Sequence, residues 1–290
     1  MSYLIASDFK KLIQSDNLTQ IIGGDTIILT AIQQAAQSEA VSYLTQKYIT
    51  GEEFTTTDIW NPLKTYVAKN RLYLDASGYV STITYSIGAL VLQDSKVYIC
   101  ITATTGLFDV TKWTLLGIQG TIFYVKPPAS DFNVYNFYKV GDVVFWRGFV
   151  YTCINATKQN THNAALQSGN DQLVLNIFPD DTVNGPSAWG NGVAFSIAPG
   201  TLPTDATKWT QGDNRNPQLV NYCIDIALYH IHSRIAPRNI PELRVVRYTQ
   251  AIEWLQMAGQ GKITADLPLI QPRSGGRIRH GGEIKRVNSY

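Results

Sequence analysis

Hydrophobic and polar positions change rhythm twice along the chain. Near the N-terminus, Ile28, Ile32, Ala35, Ala36, Ala40, Tyr43, Leu44 and Tyr48 recur at three- and four-residue steps within "TIILTAIQQAAQSEAVSYLTQKY". That period predicts an amphipathic helix with Asp25 as its N-cap, ending before Gly51. A shorter helix over "DFKKLIQ", capped by Ser7, is expected before it. From about Thr55 to Asp213 the helical period is lost, except over "PLKTYVAKNRLYL" at 62–74. Short runs of Val, Ile, Tyr, Phe and Trp broken by Gly, Asn, Asp and Pro predict many short strands joined by tight turns.

The helical rhythm returns at Pro217. In "PQLVNYCIDIALYHIHSRI" the residues Leu219, Cys223, Ile226, Ala227 and Ile231 form a stripe behind a proline placed near a helix start. After "APRNIPE", the run "ELRVVRYTQAIEWLQMAGQGKI" carries Val245, Tyr248, Ile252, Leu255 and Ala258 on one side, with Gly259 and Gly261 to stop it. From Pro268 onward no period remains, and a flexible tail is expected.

The strand-rich region contains a repeat. "YSIGALVLQDSKVYICITAT" at 85–104 aligns without gaps to "YKVGDVVFWRGFVYTCINAT" at 138–157, and "DVTKWT" at 109–114 matches "DATKWT" at 205–210. This predicts two copies of one β module, with Trp113 and Trp209 closing them and some forty extra residues in the second. The expected fold class is therefore α+β: a small helical bundle split in sequence by two small antiparallel β modules. The expected divisions are helical residues 1–54, a first module with its lead-in over 55–131, a second over 132–213, helical residues 214–266, and a basic tail over 267–290. Such an insertion is tolerated when its ends lie close together.

Composition adds two constraints. Charged residues are only 16% and hydrophobic residues 44% of 290, so the surface is expected to be neutral, polar and suited to packing against protein. Arg273, Arg277, Arg279, Lys285 and Arg286 face one acid, Glu283, so the tail carries +4 and the remainder −2 of a total +2. The body is thus not expected to bind nucleic acid by charge. No apolar run of membrane-spanning length and no signal-peptide pattern is present, which predicts no membrane role and synthesis in a cytoplasm. Cys100, Cys153 and Cys223 lack metal or redox spacing and are expected to be reduced and buried.

No catalytic constellation emerges. His230 and His232 are two apart and point to different faces of a helix, unlike the i, i+4 pair of a zinc site. The pairs Glu52–Glu53 and Asp180–Asp181 fit solvated loops, and no nucleophile motif or phosphate-cradling loop occurs. The expectation is a protein without enzymatic activity, metal or cofactor. Trp146 has Gln93 as its counterpart in the other repeat, so it is expected to be free to face solvent. Trp146 and Trp189 are the candidate docking or sugar-contact residues.

Two resemblances carry the functional expectation. The β repeats resemble the small chitin-binding type of carbohydrate module, which implies a glycan-binding adhesin as one reading. The combination of "AIQQAAQSEAVSYLTQKY", "PQLVNYCIDIALYHIHSRI" and "RYTQAIEWLQMAGQGKI" resembles the head-tail connector, or adaptor, proteins of tailed bacteriophages. Its most specific part is Arg247, Tyr248, Ala251, Ile252, Trp254, Leu255, Gly261, Lys262 and Ile263. The large β insertion departs from common short members.

The connector resemblance implies a structural virion protein located at the head-tail interface. It implies a ring, expected to be a dodecamer, that lies beneath the portal protein, extends the DNA channel and offers a platform for tail or neck proteins. Tyr222, Tyr248 and Trp254 would anchor the helical core. The tail residues from Arg273 to Arg286 would meet the portal or a neighbouring subunit, with genomic DNA in the channel an incidental contact.

Overall fold

The helices gather around one apolar core and the strands around three smaller ones. The computed structural model describes residues 2–134, 136, 138–155, 177–182, 185–235 and 238–270. The structure is α+β. Among the described residues the α-helices are α1 (Ser15–Ile22), α2 (Thr26–Leu44), α3 (Thr50–Glu53), α4 (Gly185–Ala188), α5 (Pro217–Ile235) and α6 (Glu242–Gly259). Among the described residues no helix is long and apolar enough to cross a membrane.

Asp25 caps α2 as its sequence predicts, its carboxylate accepting from the Ile27 amide at 2.8 Å and the Ile28 amide at 3.4 Å. The helix stops at Leu44, short of Tyr48, because Tyr48 turns away to form an antiparallel bridge with Leu269. Ser7 caps nothing; "ASDFKK" is a 3-10 turn over Ala6–Lys11, and it is Asp8 that accepts from the Ile5 amide. Ala36, Ala40 and Leu44 of α2, Leu219, Cys223, Ile226 and Ala227 of α5, and Ala251, Leu255 and Ala258 of α6 form one buried cluster. Burying each of the three leucines contributes roughly 1.5–3 kcal/mol.

The strands are β1 (Thr57–Ile59), β2 (Tyr66–Val67), β3 (Arg71–Tyr73), β4 (Leu90–Gln93), β5 (Lys96–Cys100), β6 (Trp113–Ile118), β7 (Ile122–Val125), β8 (Val143–Trp146), β9 (Phe149–Thr152), β10 (Val193–Ala194), β11 (Ser196–Ile197) and β12 (Trp209–Gln211). The helical period at 62–74 thus gives way to β2 and β3, separated by Lys69 in the left-handed region at φ 68°. The sheets run β1-β3-β7-β12, β4-β5-β6, β10-β9-β8 and β11-β2.

Among the described residues three copies of one unit are present rather than two. In each, an aromatic residue donates its backbone N–H to a carbonyl thirteen positions on: Trp60 to Tyr73 at 3.0 Å, Tyr79 to Leu92 at 2.9 Å and Phe132 to Phe145 at 2.8 Å. The next backbone N–H donates to a tyrosine hydroxyl five positions on: Asn61 to Tyr66, Val80 to Tyr85 and Asn133 to Tyr138. Three residues beyond each tyrosine the backbone takes a positive φ, at Lys69, Gly88 and Gly141. The tyrosine ring then meets a tryptophan edge-on, Tyr66 with Trp209 at 5.2 Å, Tyr85 with Trp113 at 5.5 Å and Tyr138 with Trp189 at 5.3 Å.

The first copy encloses the other two. Its hairpin, β3 with β7, is opened between Leu74 and Thr121, whose backbones bond at 3.0 Å, and the second copy fills the gap. Its return to β12 is opened between Lys126 and Lys208, bonded at 2.9 Å, and the third copy fills that gap. The expectation that Trp209 closes the second sequence repeat is therefore corrected. Trp209 pairs with Val125 in the enclosing copy, as Trp113 pairs with Cys100, and the residue opposite Cys153 is Trp189. The shared hexapeptide does encode one local device: Asp109 and Asp205 each accept from the backbone and hydroxyl of a threonine two residues on, ahead of the tryptophan strand.

Candidate functional site

The face on which the helices meet holds the residues that the sequence singles out. Tyr222 of α5 and Trp254 of α6 contact at 5.0 Å, half-buried against the helical core. Tyr248 stacks on Tyr229 at 4.1 Å and donates its hydroxyl to Glu39 Oε1 of α2 at 2.7 Å. The other oxygen of Glu39 lies 2.8 Å from His230 Nε2, so one carboxylate ties α2, α5 and α6 together. Burial and the Glu39 carboxylate push the Tyr248 phenol well above its ordinary value, because both disfavour a phenolate. Arg247 and Arg244 face Asp225 at 3.6 and 4.0 Å; burial nonetheless holds the Asp225 carboxyl above its usual range, against the pull of both guanidiniums. His230 and His232 occupy separate environments. Burial, and then the nearby Arg244 charge, lower the His232 pKa. Among the described residues no three His, Cys, Asp or Glu side chains gather into a group that could hold a metal ion.

A buried polar network ties the helices to the strands where the chain crosses between them. Arg215, whose side chain is 0% exposed, donates from Nη1 to Asp8 Oδ2 at 2.7 Å and the Tyr3 carbonyl at 2.8 Å, and from Nη2 to Asp8 Oδ1 and Asp213 Oδ2. Arg71 of β3 donates to the Glu53 carbonyl, to Thr55 and to Asn214 Oδ1. Glu53 Oε1 in turn accepts from the Tyr3 hydroxyl at 2.7 Å and the Asn216 amide at 2.8 Å. Arg215 meets Asp8 and Asp213, and Arg71 faces Glu53 at 3.8 Å, so the buried charges of this network lie against opposite ones, the condition under which buried ions are tolerated. Both crossings, at 53–57 and 213–216, are held by these contacts.

The aromatic candidates are placed differently from expectation. Trp146 is only 8% exposed: it packs on Phe132 at 5.4 Å and Phe178 at 5.5 Å, and its indole N–H donates to Asp180 Oδ1 at 2.9 Å. Arg147, which pairs with Asp180 at 2.9 Å, lies 5.4 Å from the indole ring. The third copy is larger than the second and uses Trp146 as core where the second has Gln93, so the lack of a repeated counterpart did not mean exposure. Trp189 is buried as well and donates to the Ile177 carbonyl at 2.9 Å. Neither ring presents a face for a sugar to stack on.

Arg273, Arg277, Arg279, Lys285 and Arg286 lie outside the described residues. The chain reaches them from beside the end of α2, where Ile49 N–H donates to the Pro268 carbonyl at 2.7 Å and Ile270 N–H to the Lys47 carbonyl at 3.0 Å. Sequence reasoning missed the Arg71, Arg215, Asp8 and Glu53 network, because its members are scattered singly over more than two hundred positions. It also missed the outward apolar residues of α6, Leu243 at 59% and Val246 at 44% exposure, one helical step apart. Their spacing outside the buried stripe was the available signal.

Comparison with known proteins gives no relative: no family model matches the chain, and no curated protein or solved structure is similar to it.

Proposed function

We propose that the chain is a structural head-to-tail connector of a tailed bacteriophage. In this reading residues 1–54 and 214–266 form one helical bundle split in sequence by the inserted β units, and copies of the bundle form a ring beneath the portal. The observation that carries the reading is the coherence of the connector-like motif. Arg247, Tyr248 and Trp254 each bond or pack onto α2 or α5 through Asp225, Glu39 and Tyr222, while Ala251 and Leu255 are fully buried. A motif matched by chance would not be expected to meet its proposed partner helices through so many of its members.

Two further features fit a subunit of a ring. Leu243 and Val246 give α6 an exposed apolar side, and Ile235 is exposed at the end of α5. The tail, with its net +4, leaves from an anchored point at Pro268–Ile270, where it can extend to an adjacent subunit or the portal. The test is to mix the purified chain with portal rings and image the mixture by electron microscopy. A ring of this chain seated on the portal is expected; a chain that stays monomeric with portal present and is missing from virions overturns the reading.

A further inference from the structure

The sequence holds two Asn-Gly dipeptides, Asn184–Gly185 and Asn191–Gly192. A glycine after asparagine leaves its backbone nitrogen open to the asparagine side chain, because no Cβ screens it and the backbone bends freely. Attack of that nitrogen on the side-chain amide carbon closes a cyclic imide. Sequence ranks the two sites equally; the fold separates them. Gly185 opens α4 and its N–H donates to the Asp181 carbonyl at 2.8 Å, so that nitrogen is engaged. Asn184 lies outside the described residues. Gly192 instead precedes β10, the end strand of its sheet, and both Asn191 and Gly192 are exposed. Phe195, three positions on, donates its N–H to the Gly148 carbonyl at 3.0 Å. Successive N–H groups of an extended chain point to opposite sides, so the Gly192 N–H points away from β9. Neither it nor the Asn191 side chain has a hydrogen-bond partner among the described residues.

The dipeptide is held at its flanks, by the Gly190 N–H on the Thr152 carbonyl at 2.8 Å and by the pairing of Val193 with Val150. Its own reacting atoms stay free. Glycine is also required at 192, because a Cβ there would lie 2.7 Å from the Tyr151 ring. Packing thus demands the residue that makes the asparagine reactive. We propose that Asn191 is a site of spontaneous deamidation, through which the third β copy loses the pairing of its end strand as the protein ages. The Gly192 nitrogen bonds to the Asn191 side-chain carbon, the bond from that carbon to the amide nitrogen breaks, and ammonia leaves with the former Gly192 proton. Water then opens the imide at either carbonyl. One opening gives aspartate; the other gives isoaspartate, in which the chain runs through the side-chain carbon. Both add a negative charge, and isoaspartate adds an atom to the backbone ahead of β10. Val193 and Ala194 then lose their register with Val150 and Phe149, and β9 becomes an open sheet edge. The proposal does not depend on the connector reading.

The test incubates the purified full chain at mildly alkaline pH, native and in denaturant, and follows both dipeptides by peptide mass spectrometry. The rate of conversion at Asn191 relative to Asn184 is expected to be at least about fivefold higher in the native chain than in denaturant. That factor corresponds to about 1 kcal/mol, the net worth of one hydrogen bond that Gly185 must break. A methyltransferase specific for isoaspartate should label the Asn191 peptide. Amide hydrogen exchange at Val150 should quicken in the converted protein. In Asn191→Gln, whose longer side chain closes the ring far more slowly, it should keep its starting rate through the same incubation. A native chain in which Asn191 does not convert, or in which the ratio matches that in denaturant, overturns the proposal. So does converted protein whose exchange at Val150 is unchanged.

Discussion

Gly259, the last residue of α6, lies so close to α2 that a Cβ placed on it would sit 2.0 Å from the carbonyl oxygen of Tyr43. No side chain can rotate away from its own Cβ, and the obstructing atom is backbone. Gly259→Ala must therefore separate two helices whose shared core includes Ala40, Leu44, Leu255 and Ala258. A loss of about 2–4 kcal/mol is expected, read as a lower denaturant midpoint at unchanged slope. Gly261→Ala meets only the end of the Lys47 side chain and a φ of 75°, and should cost about 1 kcal/mol.

Arg215 bonds two carboxylates, Asp8 and Asp213, from inside the protein. Replacing it with methionine removes the buried cation and leaves Asp8, itself 4% exposed, with only the Ile5 amide and the largely exposed Lys11 ammonium at 3.7 Å. A loss of about 3–5 kcal/mol is expected. The double change Arg215→Met with Asp8→Leu should recover part of it, and that recovery, measured by equilibrium unfolding, distinguishes an ion-pair effect from a packing effect.

Acid should loosen the same junction. Burial alone would raise the Asp213 carboxyl, but the hydrogen bonds and charge of Arg215 outweigh it and hold the group below its ordinary 3.8. A carboxylate with a depressed folded value binds protons more readily when unfolded. Its contribution is thus complete above the unfolded value and is lost as pH falls through the folded one. The unfolding midpoint should drop with pH below about 4, and Asp213→Asn should flatten that dependence.

The tyrosine hydroxyls that accept a backbone N–H mark the three copies individually. Tyr66→Phe leaves the Asn61 amide without its 2.7 Å partner in a half-buried setting and should cost about 1–1.5 kcal/mol. Tyr85→Phe and Tyr138→Phe act where water reaches the freed amide and should cost less. Amide hydrogen exchange should show each loss confined to its own copy, because the three tyrosines sit in separate cores.

Trp146→Ala should behave as a core truncation. It removes a ring packed between Phe132 and Phe178 and one of the donors to Asp180, so about 3–5 kcal/mol should be lost from the third copy. A variant that kept full stability while changing binding to a surface would contradict the buried placement.

The long helices were legible because their period, the Asp25 cap and the Gly259 stop all point one way. The helix α1 was not, being eight residues without a side-chain cap. The gapless match of 85–104 with 138–157 revealed two copies of the β unit but hid the third. In the enclosing copy a lysine, Lys69, stands where the others have glycine, and its hairpin is interrupted after Leu74. The only surviving trace was "DATKWT", which sequence order assigned to the wrong neighbour.

Enclosure of two copies by a third also dictates a timetable. The strand pairing and aromatic cluster of the second copy draw on residues from about Ser77 to Ile118 and close through local contacts, whereas the first must hold Val125 until Trp209 has been made. The entropy of closing a long loop grows only slowly with its length, but contacts distant in sequence form late. On a growing chain the unit that begins first is therefore the last of the three to finish. The N-terminal helices must wait longer still, their apolar faces uncovered until Leu219 and Leu255 emerge to meet them.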